Sequence, residues 1–146
     1  MLFRSETVDD YQLAFDVWST RRECAASDIV ARPGSKVWGV LYEVPDYLIE
    51  RKTAAAKNRR SLDAIEGEGT NYKRETIAVR RNDGSVVSVL TYRVRDPQPH
   101  LKTNLEYVGS IVEGLRERGV QEDYVEIVKQ LAQANNPAIA AQVQRL

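Results

Sequence analysis

The sequence has few of the residues that most often carry metal and nucleophile chemistry, since its 146 residues include one cysteine and one histidine. Cys24 alone cannot form an internal disulfide, which is typical of a reducing, cytoplasmic setting. Cys24 and His100 are too few ligands for a structural zinc site. His100 lies in the proline-flanked segment DPQPHLK, which argues against Ser/His or Cys/His catalysis. We therefore expect an enzyme of this sequence to use a carboxylate as its acid–base group.

Long apolar runs and an excess of either charge are also missing. No window approaches the run of about 18 apolar residues that a membrane-spanning helix needs. The 21 basic and 21 acidic residues balance, so no overall field attracts nucleic acid or an anionic membrane. Neither the dinucleotide fingerprint G-x-G-x-x-G nor a P-loop occurs. We expect a cytoplasmic protein with no nucleic-acid and no membrane partner.

The first predicted strand covers residues 11–19 and is rich in aromatic and apolar side chains. Leu13, Phe15 and Val17 share one face of it. We expect both tryptophans, Trp18 and Trp38, to lie in the core.

The next segments predict a connection, a second strand and a helix. Residues 20–27 are a polar connection, and Pro33-Gly34 indicates a turn. The apolar run 37–44 predicts a strand that is buried on both faces. Residues 47–65 are helix formers behind Asp46, a candidate N-cap. We expect Gly67 to end that helix.

The second half of the chain predicts a hairpin and then helices. Asn82-Asp83-Gly84 separates two strand-like runs and favours a tight turn. A capping box runs from Thr103 to Glu106. The helix that follows it should bury one apolar face, formed by Leu105, Val108, Ile111, Val112 and Leu115. A further helix at 122–134 repeats the pattern with Tyr124, Ile127, Val128 and Leu131.

Strands cluster in this order rather than alternating strictly with helices. That order predicts an α+β fold, with a small mixed or antiparallel sheet that is barrel-like and has flanking helices. The length suits one domain, residues 1–146. Pro137 opens a short last helix, so we expect residues 135–146 to be a C-terminal helical tail.

The segment SLDAIEGEG places three acidic residues close together, namely Asp63, Glu66 and Glu68. Glu66 falls at the predicted helix C-terminus, where the helix dipole raises the pKa of a carboxylate. It is a candidate general acid–base, and a solvated glutamate at a helix end is the alternative. Asp63 and Glu68 are candidate second carboxylates that could equally be surface charges. Tyr72 and Tyr107 are candidate pocket hydroxyls or ordinary core-edge residues.

Several segments together resemble the gamma-glutamylcyclotransferase family, also called AIG2-like or BtrG-like. The most specific are G-S-x-V-W-G-V-L-Y-E at 34–43, L-D-x-x-E-G at 62–67 followed by Y-x-R, and the later Y-V-G-S-I-V-E-G-L-R-E-R-G-V. The resemblance extends from residue 10 to about 128 in the order of the family.

This resemblance implies that the chain cyclises a γ-glutamyl amide to 5-oxoproline and releases an amine or amino acid. Glu66 would be the catalytic acid–base, since it matches the glutamate of the family's L-D-x-x-E-G motif. Gly67, Tyr72 and Tyr107 would line the substrate pocket. A small γ-glutamyl compound is the implied partner, and no metal or cofactor is implied.

The sequence departs from the family in lacking the initial strand and Y-G-S-N loop, which in the family grip the substrate. We therefore interpret the domain as N-terminally incomplete. A missing strand would expose a sheet edge, so a homodimer is compatible with the sequence. Two further interpretations stay open: a non-catalytic small-molecule binding or interaction module of the same fold, and a remnant or truncated reading frame.

Overall fold

The computed structural model describes residues 3–56, 60–62 and 72–146. Its strands form one antiparallel sheet in the order β2-β1-β3-β4. The bounds are β1 Phe3–Ser19, β2 Cys24–Tyr42, β3 Tyr72–Arg80 and β4 Val86–Val94. The sheet curls into a half-barrel that brings its two outer strands, β2 and β4, close together. The backbone N–H of Val94 on β4 donates to Asp28 Oδ1 on β2 at 3.2 Å.

Helices cover this sheet, so the predicted α+β class is confirmed. They are α1 Arg51–Ala55, α2 Leu105–Glu117, α3 Glu122–Asn135 and α4 Ala140–Gln144, with 3-10 turns at Asp46–Leu48 and Pro137–Ile139. In the described ranges, no helix is long and apolar enough to cross a membrane. The predicted short helix after Pro137 is present as the second 3-10 turn and α4.

The hairpin of β1 and β2 differs from the predicted connection and turn. The chain reverses at residues 20–23 and β2 begins at Cys24, so the predicted connection at 20–27 is half strand. Pro33-Gly34 lies inside β2, where the register shifts opposite Asp10 and Gly34 takes a φ of +85°. The Gly34 N–H donates to Asp10 Oδ1 at 3.0 Å. A proline is tolerated there because β2 is an edge strand, whose outer N–H groups need no ladder partner.

Two predictions of burial were wrong, and the position of β2 at the sheet edge explains the first of them. The run 37–44 was expected to be buried on both faces, yet Tyr42 is 48% exposed and only Val37 in the run is buried. Trp18 was expected in the core and is 49% exposed. Phe15 and Val17 are buried as predicted.

The predicted single helix over 47–65 is also wrong in its first part. Residues 46–48 form a 3-10 turn, and α1 begins only at Arg51. Thr53 Oγ1 donates to the carbonyls of Tyr47 at 2.8 Å and Glu50 at 3.2 Å. Such side-chain bonds compete with the regular helical ladder, and the extended backbone of Glu50 separates the turn from α1. The predicted end of the helix at Gly67 lies outside the described residues.

The β3–β4 hairpin at Asn82-Asp83-Gly84 is confirmed. The two strands pair from Tyr72 opposite Val94 to Arg80 opposite Val86. Gly84 has a φ of +86°, which the turn requires and which glycine adopts without strain. The ladder pair of Thr7 with Arg80 joins this hairpin to β1, and the Arg80 guanidinium also pairs with Asp9 Oδ2 at 2.8 Å.

The main core lies between β1, β2 and the C-terminal helices. Its buried members are Phe15, Ala25, Val108, Val112, Val125, Ala132 and Val143. Val143 on α4 is fully buried, so the predicted C-terminal tail packs into this core. The N-cap of α2 is Asn104 rather than Thr103, since Asn104 Oδ1 accepts from the Tyr107 N–H at 2.9 Å. Ile127 on α3, one of the four apolar residues at helical spacing, is 48% exposed.

Candidate functional site

Tyr72 and Tyr107 lie on a shared apolar floor, although 35 positions separate them in the sequence. The floor consists of Val17 on β1, Ala26 on β2 and Val94 on β4, and both tyrosine rings pack against it. Tyr72 opens β3 directly opposite Val94. The curl of the sheet makes this meeting possible, because it brings β2 and β4 together.

Tyr107 is held firmly by its surroundings. Its hydroxyl oxygen accepts from the Ser27 N–H at 2.8 Å and lies 2.9 Å from Ser27 Oγ. The Phe15 ring meets it edge to face with centroids 6.4 Å apart. The Arg22 guanidinium lies 5.9 Å from the centre of the ring. A phenol fixed in this way can present one O–H or one lone pair to a ligand with little loss of conformational entropy.

The predicted carboxylate cluster lies outside the described residues. Asp63, Glu66 and Glu68 belong to the range 63–71, and so does Gly67. The role predicted for Glu66 therefore stays a prediction. Of the four predicted site residues, the structure describes Tyr72 and Tyr107, and it brings these two together.

A pair of buried carboxylates, Asp16 and Asp28, is a feature that the sequence reasoning missed. The two side chains are 5% and 6% exposed. The register of β1 and β2 is irregular between Phe15 and Val17, so Asp16 has no paired residue on β2. Bulges of this kind redirect a side chain and are enriched beside functional sites. Aspartates are depleted in strands. The presence of Asp16 and Asp28 beside apolar strand residues is therefore the feature of the sequence that could have pointed to this pair.

The environment of this pair opposes its ionisation. Burial, followed by the negative charge of Asp28, raises the pKa of Asp16 from 3.8 to about 6. Burial also raises the pKa of Asp28, while the backbone N–H of Val94 works in the opposite direction. Arg93 lowers both pKa values through its charge, but its guanidinium pairs with Glu75 at 2.9 Å and lies 5.2 Å from the ring centre of Tyr11.

Two cavities adjoin β1. One of about 370 Å3 lies between β1, β2 and α3, and its walls include Trp38, Tyr124 and Ile127. The other, of about 540 Å3, includes Asp16 and Asn135 in its wall. Both volumes fall in the range of about 300–1,000 Å3 that is usual for small-molecule sites.

Cys24 has no features of a reactive thiol. It is 1% exposed, and burial raises the pKa of its thiol above the ordinary value. A buried, protonated thiol is a poor nucleophile. Cys24 therefore packs as a small apolar side chain.

Residues 36–128 match the AIG2-like family, and the chain belongs to this family. An uncharacterized human protein has a similar structure at a TM-score of 0.70 and 21% identity, covering 86% of this chain and 71% of its own. A gamma-glutamyl cyclotransferase gives a TM-score of 0.70 at 20% identity with the same coverage. YkqA from Bacillus subtilis gives 0.68 at 19% identity, covering 89% of this chain and 44% of its own. These likenesses confirm the predicted fold. No curated protein matches the sequence significantly.

Proposed function

We propose that this chain is a gamma-glutamylcyclotransferase-like enzyme that converts a γ-glutamyl amide to 5-oxoproline and releases an amine or amino acid. The observation that carries the proposal is the shared floor beneath Tyr72 and Tyr107, in a chain of the AIG2-like family. Glu66 is the proposed general acid–base. Gly67, Tyr72 and Tyr107 are the proposed substrate-binding residues.

Glu66 and Tyr72 are close in the sequence. Glu66 precedes Tyr72 by six residues, and six residues span at most about 20 Å when fully extended. Tyr72 in turn packs on the floor. The role proposed for Glu66 thus rests on its match to the L-D-x-x-E-G motif of the family.

The proposed reaction is an intramolecular acyl transfer. The Glu66 carboxylate takes a proton from the substrate α-ammonium, and the freed amine attacks the γ-carbonyl carbon. A C–N bond forms in the five-membered ring, and the C–N bond to the departing amine breaks. Two protons pass in all from the α-nitrogen to the leaving nitrogen, so the balance closes when the product leaves as an ammonium ion. Ring closure within one bound molecule depends mainly on orientation, and a single carboxylate suffices to move the protons.

Tyr107 has a physical basis for orienting the substrate in this scheme. Its oxygen already accepts from the Ser27 N–H, which leaves its own O–H to donate to Ser27 Oγ or to a substrate oxygen. A hydroxyl fixed before binding loses less entropy on binding than a mobile one does. Tyr72 packs on the same floor and pairs with Val94 in the sheet.

The test is to incubate the folded chain with γ-glutamyl dipeptides, γ-glutamyl amines and glutathione, and to measure 5-oxoproline by mass spectrometry. We expect product from at least one substrate class and its loss in Glu66→Gln. Glu117→Gln, an exposed change of the same chemistry on α2, is the matched control and should keep full activity. Product formation that Glu66→Gln leaves unchanged would remove Glu66 from the reaction.

A folded chain that gives no product from any of these compounds would favour the second candidate, a non-catalytic binding module. In that case the γ-glutamyl compound should still bind, and Tyr107→Phe should weaken its binding. Titration of the same compounds followed by calorimetry distinguishes binding without turnover from no recognition at all.

A further inference from the structure

Asp28 bonds the two outer strands of the half-barrel to each other. It lies on β2, and its Oδ1 accepts from the backbone N–H of Val94 on β4 at 3.2 Å. Val94 belongs to the floor beneath Tyr72 and Tyr107. Ala26, another member of the floor, lies on β2 two residues before Asp28. The bond from Asp28 therefore fixes the β4 part of the floor to its β2 part.

Asp28 is also bonded to a second buried carboxyl, that of Asp16 on β1. A hydrogen bond joins the two side chains, and both residues are buried. Ionised carboxylates only accept hydrogen bonds, so a bond between two carboxyls requires a proton on one of them. The folded pair therefore holds one shared proton.

The surroundings of the pair compensate poorly for a second negative charge. The Arg93 guanidinium on β4 acts on both carboxyls, but it also pairs with Glu75 Oε2 on β3 at 2.9 Å. The segment after β4 contacts Asp16 through the Gln98 N–H, which donates to the backbone carbonyl. Asp16 Oδ1 has no hydrogen-bond partner among the residues that the structure describes. Loss of the shared proton would thus leave two like charges side by side with little solvent around them.

We propose that Asp16 and Asp28 form a proton-dependent clamp that positions the floor of the candidate site. While the pair shares one proton, Asp28 holds Val94 and the two parts of the floor stay joined. When the proton leaves, repulsion between the carboxylates separates β2 from β4 near Val94 and loosens the floor. The effect of the clamp on a substrate rests on the function proposed above, whereas the clamp itself does not depend on that function.

The clamp should be tightest in acid. In the closed state, burial and Asp28 raise the pKa of Asp16 from 3.8 to about 6, whereas water reaches the carboxyl in the released state and restores its ordinary pKa. Between about pH 4 and pH 6, release therefore gives up a proton and becomes easier as pH rises. The equilibrium constant for release should increase by at most about a hundredfold and level off above about pH 6.

Hydrogen exchange of the Val94 amide measures release directly, and nuclear magnetic resonance on the full 146-residue chain can follow it. Exchange rates are expressed as protection factors, which removes the intrinsic pH dependence of amide exchange. We expect the protection of Val94 to fall about twentyfold between pH 4.5 and pH 7. A protection factor that stays level or rises over this range would overturn the clamp.

Low concentrations of urea distinguish local release from unfolding of the whole chain. Release exposes little surface, so the protection of Val94 should depend only weakly on urea. Val128 is fully buried on α3, and its amide should exchange by global unfolding, which urea promotes. Equal responses of Val94 and Val128 to urea would show that β4 does not separate on its own, and would contradict the proposal.

Asp16→Asn tests the shared proton. The asparagine amide keeps an N–H donor for Asp28 and has no proton to lose, so the protection of Val94 should no longer change with pH in this variant. Asp96→Asn removes a carboxyl from an exposed position and should keep the pH dependence of the wild type. An Asp16→Asn variant that retains this dependence would remove Asp16 from the clamp.

The positioning role is tested with a γ-glutamyl amide that the chain accepts. The ratio of the wild-type KM to the KM of Asp16→Asn should rise between pH 5 and pH 7, because titration of Glu66 affects both proteins equally and cancels. If the chain binds without turnover, the same ratio is measured from Kd by calorimetry. A level ratio would show that the clamp does not position the site. The exchange of Val94 requires no substrate, so failure of the proposed function and failure of the clamp are distinguishable.

Discussion

Replacing Asp16 by asparagine should stabilise the fold at neutral pH, and the size of the effect follows from the pKa of Asp16. Burial, together with the nearby charge of Asp28, raises that pKa from 3.8 to about 6. One pKa unit corresponds to about 1.4 kcal/mol. Ionised Asp16 thus costs the folded state at most about 3 kcal/mol. Asparagine keeps the shape of the side chain and carries no charge.

The direction of the pKa shift of Asp16 determines the pH range in which wild type and Asp16→Asn differ in their free energy of unfolding. Between about pH 4 and pH 6 the folded chain holds a proton on Asp16 that the unfolded chain has lost. The free energy of unfolding of the wild type therefore falls as pH rises through this window and bears the full cost above it. Asp16→Asn has no such loss, so its advantage over the wild type should grow from near zero below pH 4 to at most about 3 kcal/mol at neutral pH.

The assay is urea denaturation of wild type and variant, followed by circular dichroism at several pH values between about 4 and 7.5. Asp96→Asn is the matched control, since Asp96 is exposed and its change should be within about 0.5 kcal/mol. A difference of equal size at both ends of the pH range would refute this reasoning. So would an Asp16→Asn variant that is less stable than the wild type at neutral pH.

Three further changes test the core, a helix cap and the proposed site. Val128 is fully buried, so Val128→Ala should cost about 2 kcal/mol of stability in urea denaturation, whereas Val86→Ala at a 58% exposed position should cost under about 0.5. Asn104→Ala should cost about 1 kcal/mol by removing the cap on the Tyr107 N–H, and an unchanged midpoint would contradict that cap. Ser27→Ala removes one of two contacts to the Tyr107 oxygen and should lower kcat/KM about fivefold; an unchanged kcat/KM would show that this contact does not orient the substrate.

The parts of the fold that local chemistry determines were predictable from the sequence. Asn82-Asp83-Gly84 specifies a tight turn by itself, because asparagine and glycine accept the backbone angles that the turn needs. The start of α2 was predicted to within one residue, with Asn104 rather than Thr103 as the cap. The apolar spacing of α2 also predicted its buried face, since Val108 and Val112 are in the core.

The errors arose where burial depends on which strands are neighbours. Pro33-Gly34 has the local chemistry of a turn, yet β2 continues through it because the strand lies at the sheet edge. Tyr42, near the end of the same strand, is apolar and still 48% exposed. No local pattern tells an edge strand from a central one, so these features required the sheet order.

The candidate site was likewise predictable only in part. Tyr72 and Tyr107 could be selected from the family motifs, but their shared floor depends on the curl that brings Val94 next to β2. Asp16 was not predicted, because an alternating strand pattern does not reveal the irregular register that removes its partner on β2. A bulge depends on the pairing of both strands and not on either sequence alone.

The most direct test of the central claim is the time course of product release from a γ-glutamyl amide that the chain accepts. The account predicts that 5-oxoproline and the free amine form in equal amounts with the wild type and with Glu117→Gln, and that both are lost with Glu66→Gln. Release of amine together with glutamate instead of 5-oxoproline would contradict it, because water rather than the substrate's own α-amine would then be the nucleophile.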